Sequence, residues 1–288
     1  AFHSPAMMAA MPMLVPDKHL LRINTLDQLL ASVASIGAPA FGIFLYTTLG
    51  FSSVMFLDFA GACVAVLGLA LAKIPTVVDA TAKEQHVLAN LRDGWRAIAK
   101  TRGLVLLIGG VTIGMMIFGP LSAVFPLMTY QHFGGDGYAA SLAEAAFGVG
   151  MLVGSGILIA WGGGKRLAGL IAVAAVIVGV ATAVCGFLPP DAFPAFIGLV
   201  AVMAVACAWF NGPTMTLTQR NVPDDKMGRA MGLLTAAMGL ATPVGIAIGG
   251  VLAEAMGVAP FFIIDGLACL ALGLALYLPK SVRALDAG

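Results

Sequence analysis

The sequence predicts an all-α, polytopic bundle of membrane-spanning helices, and three observations carry that prediction. Apolar residues fill 60% of 288 positions and charged residues only 10%, far below the charged surface a soluble domain of this length needs. Eight segments, 26–48, 53–72, 103–130, 139–162, 167–188, 193–218, 229–254 and 258–279, are apolar and reach the length of about 20 residues that crosses a hydrocarbon core. Finally, all fifteen Lys and Arg residues fall in alternate gaps between hydrophobic segments.

Lys18 and Arg22 precede the first of the eight segments. Lys73, Lys83, Arg92, Arg96, Lys100 and Arg102 share one gap, Lys165 and Arg166 another, and Arg220, Lys226 and Arg229 a third, with Lys280 and Arg283 in the tail. The intervening gaps, 48–53, 131–138, 188–193 and 255–259, hold none. Positive loops stay in the cytoplasm, so the pattern sets the direction of every crossing and places the C-terminus inside a cell (inner) membrane. The expected partners of these cations are anionic lipid headgroups, and the net charge of +1 gives no reason to expect nucleic acid. Tyr46, Tyr130 and Tyr138 mark outer helix ends, and Trp161 and Tyr277 inner ones.

Residues 1–16 are apolar but too short to cross, and by the charge rule they run outside to inside, like the second half of a helix. In 73–102, Val87, Leu88, Leu91, Trp95 and Ile98 share one helical face, opposite Arg92, Arg96 and Lys100. That spacing predicts an amphipathic helix at the membrane surface, linking two bundles.

Residues 15–69 repeat 207 positions later without a gap. Val15-Pro16-Asp17 matches Val222-Pro223-Asp224, Arg22 matches Arg229, Gly42 pairs with Gly249, Gly50 with Gly257 and Asp58 with Asp265. Parallel repeats of this kind, related by an axis along the membrane normal, are the plan of transporters that work by rocking two halves. The second copy follows three helices over 103–188, so symmetry predicts about 100 further residues ahead of the first copy, three helices and part of a fourth.

On the stretches FHSPAMMAAMPMLVPDKHLLRINTLDQ, FLDFAGACVAVLGLAL and TQRNVPDDKMGRAMGLLTAAMGLATPVG, the chain resembles the major facilitator superfamily, and within it the macrolide-efflux-type drug exporters. The resemblance runs from the middle of the family's fourth helix to its twelfth. It implies a major facilitator bundle lacking its first three helices. Residues 1–72 are then the remainder of an N-terminal bundle (half of helix 4, helices 5 and 6), 73–102 the cytoplasmic linker, and 103–288 a C-terminal six-helix bundle.

The segment Ile36-Gly-Ala-Pro-Ala-Phe-Gly, with Gly37, Pro39 and Gly42, is similar to the glycine-proline gating motif of exporters. It departs from that motif at Ala38, and at Ile43 where a second terminal Gly is expected. Pro243, Gly245 and Gly249 form its counterpart in the second copy. Proline bends a helix and glycine admits a neighbour, so the residues fit a gating seam and equally fit ordinary close packing, as the Gly150–Gly154 spacing does. Glu144, Asp58 and Asp265 are carboxyl groups within apolar segments and hence proton-coupling candidates. The two aspartates are repeat-related and near the outer ends, which also fits a structural role, whereas Glu144 lies nearer the family's cavity wall. Asp27, opening the segment 26–48, suits the positive end of a helix dipole. The pairs Asp17/Arg22 and Asp224/Arg229 fit either a latch between helices or solvated loops.

By resemblance, substrate contacts come from Met7 and Met11, from Met115, Met116, Phe118 and Phe125, and from Trp209, Phe210, Asn211 and Met215. Methionine and aromatic side chains repack around varied apolar ligands, although in membrane helices they also serve as packing. The four cysteines sit singly in apolar stretches and read as packing residues. No catalytic residue, metal site or cofactor is expected: the sequence has no HExxH, no clustered His and Asp and no nucleotide-binding loop. The expected function is secondary active, proton-coupled export of hydrophobic or amphipathic, macrolide- or drug-like compounds by alternating access. Its partners are membrane lipids, the small hydrophobic substrate, protons and the missing N-terminal helices. The alternatives are a truncated or split membrane module without transport of its own, and an exporter of another substrate such as a siderophore.

Overall fold

The computed structural model describes residues 16–71, 95–96, 98–164, 166–223 and 226–287. Parts of the first helix, among them 35–44, 58 and 64–71, are described by backbone alone. Met7 and Met11 lie outside the described residues, as do the side chains of Pro39, Asp58, Asp17 and Asp224. Every described regular element is helical. Six helical stretches among the described residues, one of them the composite run Arg102–His132, are long and apolar enough to cross a membrane. Without water in the hydrocarbon, each helix satisfies its own backbone groups, which is why no open strand edge is tolerated there.

The first helix, α1, spans Asp17–Leu71 with one break at Gly50. The expected segments 26–48 and 53–72 are thus its two limbs. Asp27 falls ten residues inside α1, so it does not open a helix and the dipole role expected for it is not met. The expected crossing 103–130 is divided into α2 (Arg102–Phe118), α3 (Leu121–Leu127) and a π-helical turn over Met128–His132. Pro120 causes the division: it lacks an N–H, so the Met116 carbonyl loses its helical donor. There follow α4 (Gly137–Trp161), α5 (Leu167–Phe187), α6 (Phe193–Asn221), α7 (Met227–Met256), α8 (Val258–Tyr277) and the short α9 (Lys280–Arg283). Asp136 caps α4 by accepting from the Ala139 N–H at 3.0 Å.

Helix α5 packs along α8 and α6, α4 packs along α6, and α2 packs along α7. Small residues set these contacts. A Cβ on Gly179 would meet the Leu270 backbone, one on Gly266 the Ala183 backbone, and ones on Gly150 and Gly154 the Ala201 and Val205 carbonyls. Without a hydrophobic driving force between helices in lipid, such close backbone approach is the principal attraction. Helix α1 lies against α4 and α6.

The two ends of the bundle differ. At one end Leu21 reaches Gly163, Gly103 meets Ser281, and Asn221 donates to the Leu285 carbonyl at 3.3 Å. All the described cation-bearing segments gather there. At the other end His132 Nε2 bonds the Leu188 carbonyl at 2.7 Å, and Phe125, Phe133, Phe193, Phe196 and Phe262 stack on one another. In the linker region Ile98 is fully buried, whereas Trp95, expected on the same apolar face, is 51% exposed.

Candidate functional site

Helices α2, α4 and α6 leave two adjoining apolar cavities between them. The first, of about 240 Å³, is lined by Met115 and Phe118 of α2, Phe147 and Met151 of α4, and Phe210 and Asn211 of α6. Val178, Cys207, Cys269 and Leu272 close it. The second, of about 290 Å³, lies nearer the aromatic end, between Phe118, Ser122, Phe125, Pro126, Glu144, Phe147 and Val200. Phe118 and Phe147 border both, so one pair of aromatic rings separates the two spaces. Glu144 is exposed on α4, and its carboxyl group is the charged group on the wall of the second cavity.

Five expected substrate-contact residues therefore converge here: Met115, Phe118, Phe125, Phe210 and Asn211. Three others take different places. The indole of Trp209 donates to the Gly154 carbonyl at 3.1 Å, tying α6 to α4. Gly154 has no side chain, so the ring can reach the backbone that close approach exposes. The Met116 backbone lies against Gly245 of α7 while the residue is exposed, and Met215 packs on the core at the cation-bearing end. Phe147 and Met151 were missed in the sequence. Their place on α4 is one and two turns from Glu144, a spacing that could have singled them out.

The second-copy motif residues form a contact within this bundle. A Cβ on Gly245 would overlap the Met116 carbonyl, and one on Gly249 would overlap the Pro120 ring. The hydrogen standing in place of a side chain on Gly245 thus points at the carbonyl that Pro120 leaves without a helical donor. Pro243, two residues before Gly245, is exposed. Asp265 lies elsewhere, 6% exposed on α8, and its Oδ2 has no hydrogen-bond partner among the described residues.

A polar contact joins α1 to α6 at the cation-bearing end. The Asn24 amide donates to Thr216 Oγ1 at 3.1 Å and to Gln219 Oε1 at 2.7 Å. Gly212 makes room for it, since a Cβ there would press on Thr25 Oγ1. Thr216 satisfies its own proton on the Gly212 carbonyl at 2.9 Å, leaving its oxygen to accept from Asn24. No group of three or more His, Cys, Asp or Glu able to hold a metal occurs among the described residues.

Long apolar helices packed through glycine around an aromatic and methionine-lined space define a multi-pass membrane transport protein. The profile described as Major Facilitator Superfamily matches residues 1–186 and 163–287, and the chain belongs to that family. The chain is similar to Macrolide efflux protein A of Streptococcus pyogenes, 27% identical over 287 residues, covering 99% of this chain and 71% of that protein. A protein of the same description from Enterococcus faecalis is 28% identical over 247 residues, 85% of this chain and 76% of its own length. Multidrug efflux pump Tap of Mycolicibacterium fortuitum is 25% identical over 303 residues, with 99% and 71% covered.

Proposed function

We propose that the chain is the greater part of a proton-coupled exporter that moves hydrophobic or amphipathic, macrolide- or drug-like compounds out of the cytoplasm by alternating access. The observation that carries this reading is the pair of cavities that brings Met115, Phe118, Phe125, Phe210 and Asn211 together beside Glu144. Apolar walls with few polar groups, Asn211 in one space and Ser122 and Glu144 in the other, suit varied amphipathic ligands, because rings and thioethers adapt while the polar groups orient. The relatives' names, macrolide efflux and multidrug efflux, agree with such a ligand class.

Glu144 is the first candidate for the coupling proton, since a carboxyl at the cavity wall senses both substrate and access from water. Asp265, buried and with a free oxygen, is the second. In this reading 1–72 belongs to one rocking half, 103–288 forms the other, and residues 73–102 link them on the cytoplasmic side with the C-terminus. Helices ahead of residue 1, predicted by the repeat, complete the first half. The Asn24 contact then closes the cytoplasmic end, and its release opens the cavities inward. Gly245 and Gly249 keep the α2–α7 seam tight, as a gate that limits leak requires.

The test is accumulation of a fluorescent macrolide in efflux-deficient cells, with and without an uncoupler. Uncoupler-sensitive export supports the reading; export that persists after collapse of the proton gradient removes the coupling, and absence of export from a full-length version removes the substrate class.

A further inference from the structure

We infer that the cation-bearing end of the C-terminal bundle holds a site for the phosphate headgroup of an anionic membrane lipid. A cavity of about 600 Å³ lies between the start of α5 and the chain's tail, lined by Arg166, Gly169, Tyr277, Lys280, Arg283 and Asp286. It is remote from the substrate cavities and shares no residue with them.

Three cations face one carboxylate here, and that carboxylate is engaged. Asp286 Oδ1 accepts from the Ala168 N–H at 3.0 Å, capping α5. None of Arg166, Lys280 and Arg283 has a carboxylate within ion-pair distance among the described residues. Arg283 is placed over the Tyr277 ring, 5.6 Å from its centroid, and donates to the Leu278 carbonyl at 3.4 Å. These contacts aim its guanidinium and leave further donors for an anion.

The tail that carries Lys280 and Arg283 is fixed. Val282 and Leu285 are 1% and 3% exposed within the core cluster that includes Leu104 and Leu107. Asn221 holds the Leu285 carbonyl, and Gly103 packs on the Ser281 backbone. Two segments more than a hundred residues apart are thus locked so that their cations converge, which a mobile basic tail would not achieve.

Tyr277 and Leu278, 50% and 72% exposed, border the cations on the α8 side, where lipid chains run. A free phosphate would gain nothing from them, whereas a glycerophospholipid places its phosphate among the cations and its upper chain on these side chains. Cations near a membrane surface attract anionic lipid with about a fivefold gain each.

The experiment is native mass spectrometry of the full chain released from micelles with equal amounts of phosphatidylglycerol and phosphatidylcholine. Phosphatidylglycerol should be retained preferentially. Lys280→Gln and Arg283→Gln, both exposed and therefore tolerated by the core, should each lower that preference about fivefold with helicity unchanged. Arg102→Gln, a cation at the same end but outside the cavity, should leave it intact. Equal retention of both lipids overturns the proposal, as does an Arg102→Gln loss matching that of Lys280→Gln. Displacement of the lipid by excess inorganic phosphate would reassign the site to a soluble anion.

Discussion

Gly50 and Gly257, 207 residues apart, hold the same backbone conformation: φ 76°, ψ 164° at the first and φ 88°, ψ 159° at the second. This region is open essentially to glycine alone. Each glycine stands between two apolar helical segments at a gap without Lys or Arg, so a sharp turn there lets one helix end and the next begin within a residue. The internal repeat is therefore a repeat of backbone geometry as well as of side chains.

Gly257→Ala should cost about 1–3 kcal/mol through backbone strain, although the site itself has room near the Pro260 ring. Gly250→Ala, in open space on α7, should be close to neutral. Thermal unfolding of the two purified variants in one detergent measures the difference; equal melting would show that the turn relaxes without cost.

Gly245→Ala meets a different obstacle. Its Cβ would strike the Met116 carbonyl, a backbone atom that cannot rotate aside, so α2 and α7 must separate. Overpacking of this kind costs about 1–3 kcal/mol. Efflux should fall with it, and proton leak into vesicles containing the variant should rise. A variant with wild-type stability and unchanged leak would leave Gly245 as incidental to the seam.

Much of the architecture was readable because lipid imposes strong rules. The segments 139–162, 167–188 and 258–279 correspond within two residues to α4, α5 and α8. Hydropathy could not reveal the breaks, because Gly119-Pro120 lies inside an unbroken apolar run and only backbone chemistry stops α2 there. The early start of α1 was hidden by Lys18 and Arg22, which belong to a helix extending past the hydrocarbon. Site residues were harder to read. In a helix apolar on every side, Phe118 at the cavity and Trp209 at a packing contact look alike, and only the partner, a void or the Gly154 carbonyl, tells them apart. Asn24 escaped because its partners lie 192 and 195 residues away.

Trp209→Phe removes the bond to Gly154 while keeping most of the ring. We expect a loss of about 0.5–1.5 kcal/mol in stability and an unchanged set of exported compounds. A changed drug-resistance profile at equal expression would return Trp209 to the substrate contacts.

Glu144→Gln separates charge from shape at the second cavity. The cavity walls persist, so binding of a neutral macrolide-like fluorophore to the purified variant should be unchanged, while uncoupler-sensitive efflux in cells drops to the level of cells without the protein. If Asp265→Asn abolishes efflux and Glu144→Gln does not, the coupling carboxyl is on α8.

The Asn24 contact tests the motion itself. The two side chains touch in this structure, with Asn24 Nδ2 3.1 Å from Thr216 Oγ1, so paired thiols at these positions lie within reach of each other. In a background with the four native cysteines replaced, Asn24→Cys/Thr216→Cys should crosslink on mild oxidation. If the cytoplasmic ends must part to admit substrate, crosslinked protein should cease exporting and recover on reduction. Each single-cysteine control should keep working under oxidation. Full crosslinking with undiminished export would mean that α1 and α6 stay joined throughout the cycle, and that any opening to the cytoplasm passes between other helices.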